Sequence, residues 1–434
     1  MARIQGAPFR IGLAGLGTVG GEVARRLLDA GRTLDAKAGR PVVLAAVSTR
    51  TRSRDRGCDL SGVTWHDDPA SLAAALDLDC VVELIGGAEG SARATVEAAL
   101  DNGRHVVTAN KALTARHGQR LAAIAEEKAA GLAFEAAVAG GIPIIKALAE
   151  GLAGNRIARV AGILNGTCNF ILTQMEAHGT AYADALAEAQ RLGYAEADPA
   201  ADVDGHDSAQ KLGVLSSLAF GHAPDLDGVT VEGITRISPS DIRYARELGY
   251  RIKLLGVARR SGQAIEMRVH PAMVPLGTPL ADVDGVFNAV MVEGDPVGLS
   301  FFEGRGAGAG PTASAVLGDI IDLARGALRP AFGVAAHTLL PPRRAEAGHR
   351  ESCFYLRFQV VDRPGVLAAI TRALATHGVS VESMLQRGRA PGEEVAIVLT
   401  THQTAEGALA AAVTAIDAQD AILEPPCIIR MEAI

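Results

Sequence analysis

The sequence lacks the patterns that mark membrane, secreted or zinc proteins. No uninterrupted apolar run reaches the roughly 18–20 residues that a membrane-spanning helix needs. Glycines interrupt the apolar N-terminal stretch 1–17, so it lacks the apolar core of a signal peptide. The five cysteines show no CxxC spacing, and the histidines show neither HxxxH nor HExxH. We therefore expect a cytoplasmic protein with reduced, mostly buried thiols and no zinc site.

Basic residues are outnumbered by acidic ones, and lysine is especially scarce. The formal net charge of -7 argues against nucleic acid or an anionic membrane as the main partner. Of the 42 basic residues only six are lysines. Because lysine can release its proton and arginine cannot, a lysine retained in such a chain is slightly favoured to be needed as an amine. The six lysines are Lys37, Lys111, Lys128, Lys146, Lys211 and Lys253.

The chain of 434 residues is long enough for about two to four domains. Apolar runs at 9–15, 41–47, 80–85 and 105–109 alternate with helical segments, which predicts a parallel sheet covered by helices. We expect an α/β fold with a dinucleotide-binding domain at 1–145, completed by 306–335. We further expect a mixed α/β domain for catalysis, substrate binding and dimerisation at 146–305, a linker at 336–350 and a ferredoxin-like βαββαβ domain at 351–434.

A glycine-rich loop follows the first predicted strand. Gly15, Gly17 and Gly20 form a GxGxxG pattern that also contains Thr18 and Val19, and a predicted helix follows it. Such glycines allow a tight turn and a close approach of the backbone to a pyrophosphate at the helix N-terminus. We interpret the loop as a dinucleotide site; a glycine-rich turn without a ligand is the alternative.

The end of the second predicted strand is rich in arginine. The stretch 48–54 contains Arg50 and Arg52, and no acidic residue precedes Asp55. NAD enzymes usually carry an acid here for the ribose hydroxyls. The arginines therefore favour NADP over NAD, and a solvated basic loop is the alternative for each of them.

An acidic segment at 193–211 leads into a lysine. Asp207 and Lys211 are four residues apart, so they share one helical face and can interact. Carboxylates around a lysine could bind an ammonium-bearing substrate and shift the lysine pKa. An ordinary acidic helix start with an ion pair is the alternative interpretation.

This segment resembles the signature of the homoserine dehydrogenase family. The signature is a Gly-aromatic pair, an acid, Asp-Pro, Asp-x-x-Gly-x-Asp and a final lysine, and every element is present between 189 and 211. The resemblance also includes the stretch 108–111, a presumed loop at 162–172 and the stretch 304–312, so it extends over about 9–330. The main departure from shorter members is an insert near 31–40, which we expect to be a surface loop.

The resemblance implies reduction of L-aspartate 4-semialdehyde to L-homoserine, in threonine, methionine and isoleucine biosynthesis. It implies that Lys211 is the acid/base and that Lys111 is a second lysine beside nicotinamide and substrate. The reaction requires such groups, because an acid must supply a proton to the forming alkoxide. Implied substrate-binding residues are Gly193, Tyr194, Glu196, Asp202 and Asp207, and implied cofactor-binding residues are Thr108, Asn110, Lys111, Gly193 and Gly308.

The stretch 135–143 resembles the loop of this family that binds a monovalent cation, Na⁺ or K⁺, through main-chain carbonyls. By position the implied ligands are Glu135, Val138, Gly140 and Ile142. Main-chain oxygens suit hard cations. A plain strand-to-helix turn is the alternative.

The stretch 362–367, Asp-Arg-Pro-Gly-Val-Leu, resembles the ACT-domain signature, and the βαββαβ order agrees with it. ACT domains usually pair and bind amino acids, so the resemblance implies a threonine effector and a homodimer or homotetramer. A module that only assembles the enzyme is the alternative.

Two rival functions remain open from the sequence. Another NAD(P)-dependent amino-acid dehydrogenase would share the nucleotide loop but leave the segment 189–211 unexplained. A non-catalytic sensor of nucleotide and amino acid would be favoured by the loss of Lys111 or Lys211, and both are present.

Overall fold

The computed structural model describes residues 6–29, 31–346, 348, 350–386 and 394–433. Its N-terminal region contains a six-stranded parallel sheet in the order β3-β2-β1-β4-β5-β6. The strands are β1 (Phe9–Ala14), β2 (Val42–Ser48), β3 (Thr64–His66), β4 (Cys80–Glu83), β5 (His105–Thr108) and β6 (Leu132–Ala133). The helices are α1 (Thr18–Asp29), α2 (Gly31–Ala38), α3 (Pro69–Ala73), α4 (Ser91–Asp101) and α5 (Lys111–Glu127).

The core strands of this sheet are covered on both faces. Ile11 and Leu13 in β1 and Val81 and Val82 in β4 are fully buried, as expected for a parallel sheet with helices on each side. The strand order changes direction between β1 and β4. Ligands of open α/β sheets bind at such a switch point, beyond the carboxyl ends of the strands.

The insert near 31–40 is not the surface loop that we expected. Residues Gly31–Ala38 form helix α2. Ala38 is buried and Leu34 packs against the core of the N-terminal region. These two residues are four apart, so they face the sheet from one side of the helix.

The central region begins with a 3₁₀ turn (Glu135–Ala137), helix α6 (Ile144–Lys146) and a π turn (Ala147–Gly151). Its strands are β7 (Arg156–Ile163), β8 (Val229–Val231), β9 (Tyr250–Ser261), β10 (Ala264–Pro275), β11 (Phe287–Asp295) and β12 (Gly298–Arg305). Its helices are α7 (Gly166–His178), α8 (Tyr182–Arg191), α9 (Ala200–Val203), α10 (His206–Phe220) and α11 (Pro239–Glu247). Strands β12-β11-β7-β9-β10 form an antiparallel sheet, and α10 packs on β9 and β10 through the buried Leu212 and Leu215.

Helix α12 (Ala309–Ala324) follows β12 and returns to the N-terminal region. It packs against α1, and its Val316 and Ile320 belong to one buried apolar cluster with Val23 and Leu27. The segment 304–308 therefore joins the central sheet to the nucleotide-type sheet.

The C-terminal region has the expected βαββαβ order, with one short additional strand. It contains β13 (Glu351–Val361), α13 (Val366–Thr376), β14 (Val381–Gln386), β15 (Glu394–Thr401), β16 (Thr404–Ala405), α14 (Glu406–Asp417) and β17 (Cys427–Met431). The strand order is β17-β13-β15-β14, and Ile370 and Ile416 of the two helices share an apolar cluster with Phe354 and Phe358.

The C-terminal region is joined to the central region by continuous β-sheet. Strand β17 pairs in parallel with β10, so the two sheets form one. Of residues 336–350, which we predicted to be a linker, those from 340 to 344 contact the central region. Leu340 bridges to His222, Arg344 bridges to Ile265, and Leu339 is buried.

Within the described residues, no helix has the length and apolar character needed to cross a membrane. All five cysteines are free. Cys80 and Cys168 are buried, whereas the other three are half-buried, so the expectation of mostly buried thiols holds only for two of them.

Candidate active site

A cleft of about 610 Å³ lies where the N-terminal and central regions meet. It opens near the start of α1 and α5 on one side and near α7 and α10 on the other. The structure brings nine of the predicted site residues to its wall: Val19, Lys111, Gly140, Gly193, Tyr194, Asp202, Asp207, Lys211 and Gly308.

The nucleotide loop connects β1 to α1 at the switch point of the sheet. Gly15 has a φ of 101°, and its N–H donates to the Ser48 carbonyl at 2.9 Å. A Cβ on Gly20 would overlap the carbonyl oxygen of Gly15. The loop therefore needs glycine at both positions to bring the N-terminus of α1 close to the ends of β1 and β2.

The arginines after β2 differ in their contacts. Arg52 pairs with Asp67 at 2.7 Å and stacks on the Trp65 ring at 5.5 Å, whereas Arg50 is exposed. Arg56, which the sequence argument did not select, donates to the carbonyl of Leu16 at 3.4 Å. Arg56, two residues beyond the stretch 48–54, thus contacts the nucleotide loop.

Thr108 and Asn110 are buried and bonded within the protein, and they do not line the cleft. Thr108 Oγ1 donates to Glu83 Oε2 at 2.5 Å. Glu83 Oε1 accepts from the backbone N–H groups of Ile85 and Gly86 at 2.7 and 2.9 Å. Glu83 is fully buried and was missed, because a single acid at a strand end has no distinctive spacing.

Asn110 caps helix α5 and so places Lys111. Its Oδ1 accepts from the N–H of Leu113 at 3.1 Å, and its Nδ2 donates to the Gly87 carbonyl at 2.6 Å. Lys111 is the first residue of the helix, and its side chain is 36% exposed in the cleft.

Asp207 lies between the two lysines at the centre of the cleft. Its carboxylate is 2.6 Å from Lys211 Nζ and 3.2 Å from Lys111 Nζ. Lys211 also donates to the Leu164 carbonyl at 2.7 Å. The pair Asp207 and Lys211 follows from helical spacing, but Lys111 reaches Asp207 only through the meeting of two regions.

The two aspartates of the cleft have opposite pKa shifts. Burial by itself would raise the pKa of Asp207, but the charges of Lys211 and Lys111 and the hydrogen bonds from Lys211 and Asn165 lower it to about 2. Burial, together with the nearby charge of Asp207, raises the pKa of Asp202 despite the hydrogen bond from Asn165. Asp207 is therefore a permanent anion that keeps two ammonium groups together.

Asn165 links the two aspartates. Its Nδ2 donates to Asp202 Oδ1 at 2.7 Å and to Asp207 Oδ2 at 2.9 Å. Its Oδ1 caps α7 by accepting from the N–H of Cys168 at 2.8 Å. The predicted loop 162–172 is thus the end of β7, a turn and the start of α7, because Asn165 is the N-cap of a helix that begins at Gly166.

Three predicted residues lie toward the rim of the cleft. Gly193 has a φ of 74°, which permits the turn after α8. The Tyr194 side chain packs edge-on against Phe170 at 5.0 Å. Glu196 is exposed and does not line the cleft.

The loop after β6 carries the predicted cation ligands. The Glu135 carboxylate accepts from the N–H groups of Ile145 and Lys146, each at 2.9 Å. Burial and the nearby Asp319 raise its pKa to about 7. Within the described residues, no group of three or more His, Cys, Asp or Glu side chains is arranged to hold a metal.

The backbone of this loop is tightly turned and buried. Ala139 and Gly140 have φ values of 54° and 48°. Val138 and Gly140 are buried, and in the described part of the chain their carbonyl oxygens accept no hydrogen bond. The Ile142 carbonyl accepts from the N–H of Ile144 at 2.8 Å.

Family models match three stretches of the chain. The NAD-binding domain of homoserine dehydrogenase matches residues 15–135, homoserine dehydrogenase matches 143–321, and the ACT domain matches 354–420.

Known proteins are similar over nearly the whole chain. Homoserine dehydrogenase of Neisseria gonorrhoeae is 46% identical, over 98% of this chain and 99% of its own. The crystal structure of a homoserine dehydrogenase from Thiobacillus denitrificans has a TM-score of 0.92 and 44% identity over 98% of both chains. A hyperthermophilic archaeal homoserine dehydrogenase in complex with NADPH has a TM-score of 0.64 and 27% identity, over 75% of this chain and 100% of its own.

Proposed function

The chain belongs to the homoserine dehydrogenase family, and on this premise we propose that it catalyses the reversible reduction of L-aspartate 4-semialdehyde to L-homoserine by NAD(P)H. The observation that carries the proposal is the cluster of Lys111, Asp207 and Lys211 in the cleft. A non-catalytic nucleotide or amino-acid sensor has no need of two lysines held at one buried carboxylate.

Lys211 is the proposed proton donor. A lysine ammonium has three N–H groups, and Leu164 and Asp207 accept two of those on Lys211. The third N–H is left for the carbonyl oxygen of the substrate. When bound, the nicotinamide cofactor supplies the hydride, and the oxygen then needs the proton that Lys211 holds.

Lys111 is proposed to stabilise the developing negative charge on the same oxygen. Its side chain is more exposed than that of Lys211, and Asp207 holds it from one side only. In the oxidation direction the roles reverse, and Lys211 accepts the hydroxyl proton.

We propose that Asp202 binds the amino group of the substrate. Its Oδ1 is occupied by Asn165, and its pKa is raised by burial, so an incoming ammonium group would favour the ionised form. Gly193 and Tyr194 would shape the entrance, and Glu196 would act from the exposed rim.

We propose NADP rather than NAD as the cofactor. The fit rests on the glycine loop at the start of α1 and on Arg56, which contacts this loop, with Arg50 and Arg52 as further cationic side chains after β2. Cationic side chains there suit the 2′-phosphate of NADP. The remaining candidates for holding the dinucleotide are Gly17, Thr18, Val19, Lys111, Gly193 and Gly308.

We propose a structural Na⁺ or K⁺ site in the loop after β6. The buried carbonyls of Val138 and Gly140 without hydrogen bonds fit such an ion. Glu135 and Ile142 would supply the other main-chain oxygens. The ion would hold this loop against the cleft, and no reaction step depends on it.

We propose that threonine acts as an inhibitor through the ACT domain of a homodimer or homotetramer. Arg357 in β13 donates to Asp241 in α11 at 2.7 Å. In turn Arg246 of α11 pairs with Glu176 of α7 at 3.2 Å, and Asn165 caps the N-terminus of α7. A shift of the ACT domain would therefore reach the helix whose cap touches both aspartates of the cleft.

The experiment is the rate of NADPH oxidation with L-aspartate 4-semialdehyde, with and without threonine, for the wild type and for Lys211→Ala. We expect turnover that threonine suppresses, and loss of turnover with retained NADPH binding in Lys211→Ala. Lys211→Arg keeps the charge but not the proton transfer, so it should be nearly as inactive.

The surface variant Lys128→Ala serves as a control and should match the wild type. Near-normal turnover of Lys211→Ala would contradict the acid/base assignment. No turnover of the wild type with either NADPH or NADH would favour the sensor function. A turnover rate that threonine does not change would indicate that the ACT domain only assembles the enzyme.

A further inference from the structure

Asn288 is a buried polar residue in the wall of the cleft that the mechanism above does not use. It lies near the start of β11 and is 1% exposed. Its Nδ2 atom is buried, and among the described residues it has no hydrogen-bond acceptor. An amide that gives up water without gaining a partner costs about 1–3 kcal/mol. Because buried amides are rarely left unpaired in native proteins, a ligand is the natural source of the missing acceptor.

The side chain of Asn288 is held in a narrow slot between two glycines. A Cβ on Gly306 would overlap the Cγ, Oδ1 and Nδ2 atoms of Asn288. On the other side, a Cβ on Gly166 would come within 3.4 Å of Oδ1. The amide group therefore packs directly on the backbone of Gly306, and this close contact is possible only because Gly306 has no side chain.

The two faces of the slot belong to different halves of the cleft. Gly166 is the first residue of α7, on the side of Asp202 and Asp207. Gly306 lies on the segment that leads to Gly308 and the start of α12, on the side of the nucleotide-type sheet. Both amide atoms pack on Gly306, and Oδ1 also lies near Gly166. The unpaired donor therefore lies against the segment that leads to the side where the cofactor is proposed to lie.

We infer that Asn288 Nδ2 donates a hydrogen bond to the carboxamide oxygen of the nicotinamide ring. This inference rests on the proposed dinucleotide function. In the proposed mechanism Lys211 and Lys111 already contact the carbonyl oxygen of the substrate. The substrate ammonium group is a hydrogen-bond donor, so Nδ2 cannot pair with it. The carboxamide oxygen is a hydrogen-bond acceptor for which the proposed mechanism names no other donor. Holding it would fix which face of the ring turns toward Lys111 and Lys211.

The test compares two ligands that differ only in the nicotinamide end. NADPH and 2′-phospho-ADP-ribose are titrated against the wild type, Asn288→Leu and Asn288→Ala, without substrate. Leucine has nearly the size of asparagine and no donor, so it keeps the slot filled. Alanine is the second variant, in case leucine is not accepted in the slot.

We expect the Kd for NADPH to rise about three- to tenfold in both variants, which is the usual value of one neutral hydrogen bond. The Kd for 2′-phospho-ADP-ribose should stay within about twofold, because it has no carboxamide. Equal weakening of both ligands would show that Asn288 only supports the 306–308 segment, and would overturn the inference.

An unchanged NADPH affinity together with a raised KM for L-aspartate 4-semialdehyde would place the donor on the substrate, which also overturns it. Failure of the wild type to bind NADPH at all would instead refute the proposed function. The two failures are therefore distinguishable.

Discussion

Replacing Asp207 by asparagine would test the electrostatics of the cleft most directly. The change keeps the size of the side chain and removes the one charge that lies between Lys111 and Lys211. Asp204→Asn is the matched control, because Asp204 belongs to the same acidic segment but pairs with neither lysine within the described residues.

The size of the effect follows from the pKa of Asp207. Its pKa falls from an ordinary 3.8 to about 2 although burial opposes ionisation. A shift of a little under two units corresponds to about 2 kcal/mol of net interaction with its surroundings, in which the two lysines and the hydrogen bonds outweigh the cost of burial. If that interaction holds the ammonium groups in reactive positions, its loss lowers kcat/KM by about 30-fold.

The assay is NADPH oxidation with L-aspartate 4-semialdehyde at a fixed pH, with the affinity for NADPH measured separately. We expect the rate of Asp207→Asn to fall and that of Asp204→Asn to match the wild type. A variant with the rate of the wild type would refute the reasoning, as would an equal effect of Asp204→Asn.

Three further predictions concern the rest of the molecule. Gly20→Ala should abolish measurable NADPH binding, by fluorescence titration, because its Cβ would overlap the Gly15 carbonyl; retained binding would mean that the loop can open. Burial lowers the pKa of Lys253 to about 8, below its ordinary 10.5, so wild-type stability should rise with pH between these values. In urea unfolding, the free energy of unfolding of the wild type relative to that of Lys253→Met should hence rise by about 3 kcal/mol from pH 8 to pH 10.5. A difference between the two proteins that does not change with pH would contradict the lowered pKa. Arg357→Met leaves the fully buried Asp241 without its guanidinium partner, so the free energy of unfolding should fall by about 3–5 kcal/mol, whereas the exposed Arg363→Met should be neutral.

Some features of the fold could be predicted because they depend on neighbours in the chain. The apolar runs around Ile11 and Val81 are β1 and β4, and the spacing of Asp207 and Lys211 places them on one face of α10. The βαββαβ order of the C-terminal region was predicted from alternation and turn residues alone. Periodicity reports local geometry, and these elements bury their apolar faces in the way that periodicity implies.

The errors in the prediction have local causes as well. Helix α2 was taken for a loop, because its apolar positions Leu34 and Ala38 are few and stand among polar residues. The start of α7 was placed in a loop, because Asn165 followed by Gly166 has the composition of a turn. In both segments the contacts of a few residues with the core outweigh a weak intrinsic preference.

The sequence by itself determined the class of the fold, the nucleotide loop and the family signature, since each is a pattern within a short stretch of chain. Only the tertiary structure decided that Lys111 meets Asp207 and that Asn165 joins the two aspartates. It also decided that Asn288 lies in the cleft wall with a buried Nδ2 atom that has no acceptor among the described residues, and that β17 extends the central sheet through β10. The physical reason is that such contacts join residues far apart in the chain. Their distances depend on how whole elements pack, which no local pattern of residues records.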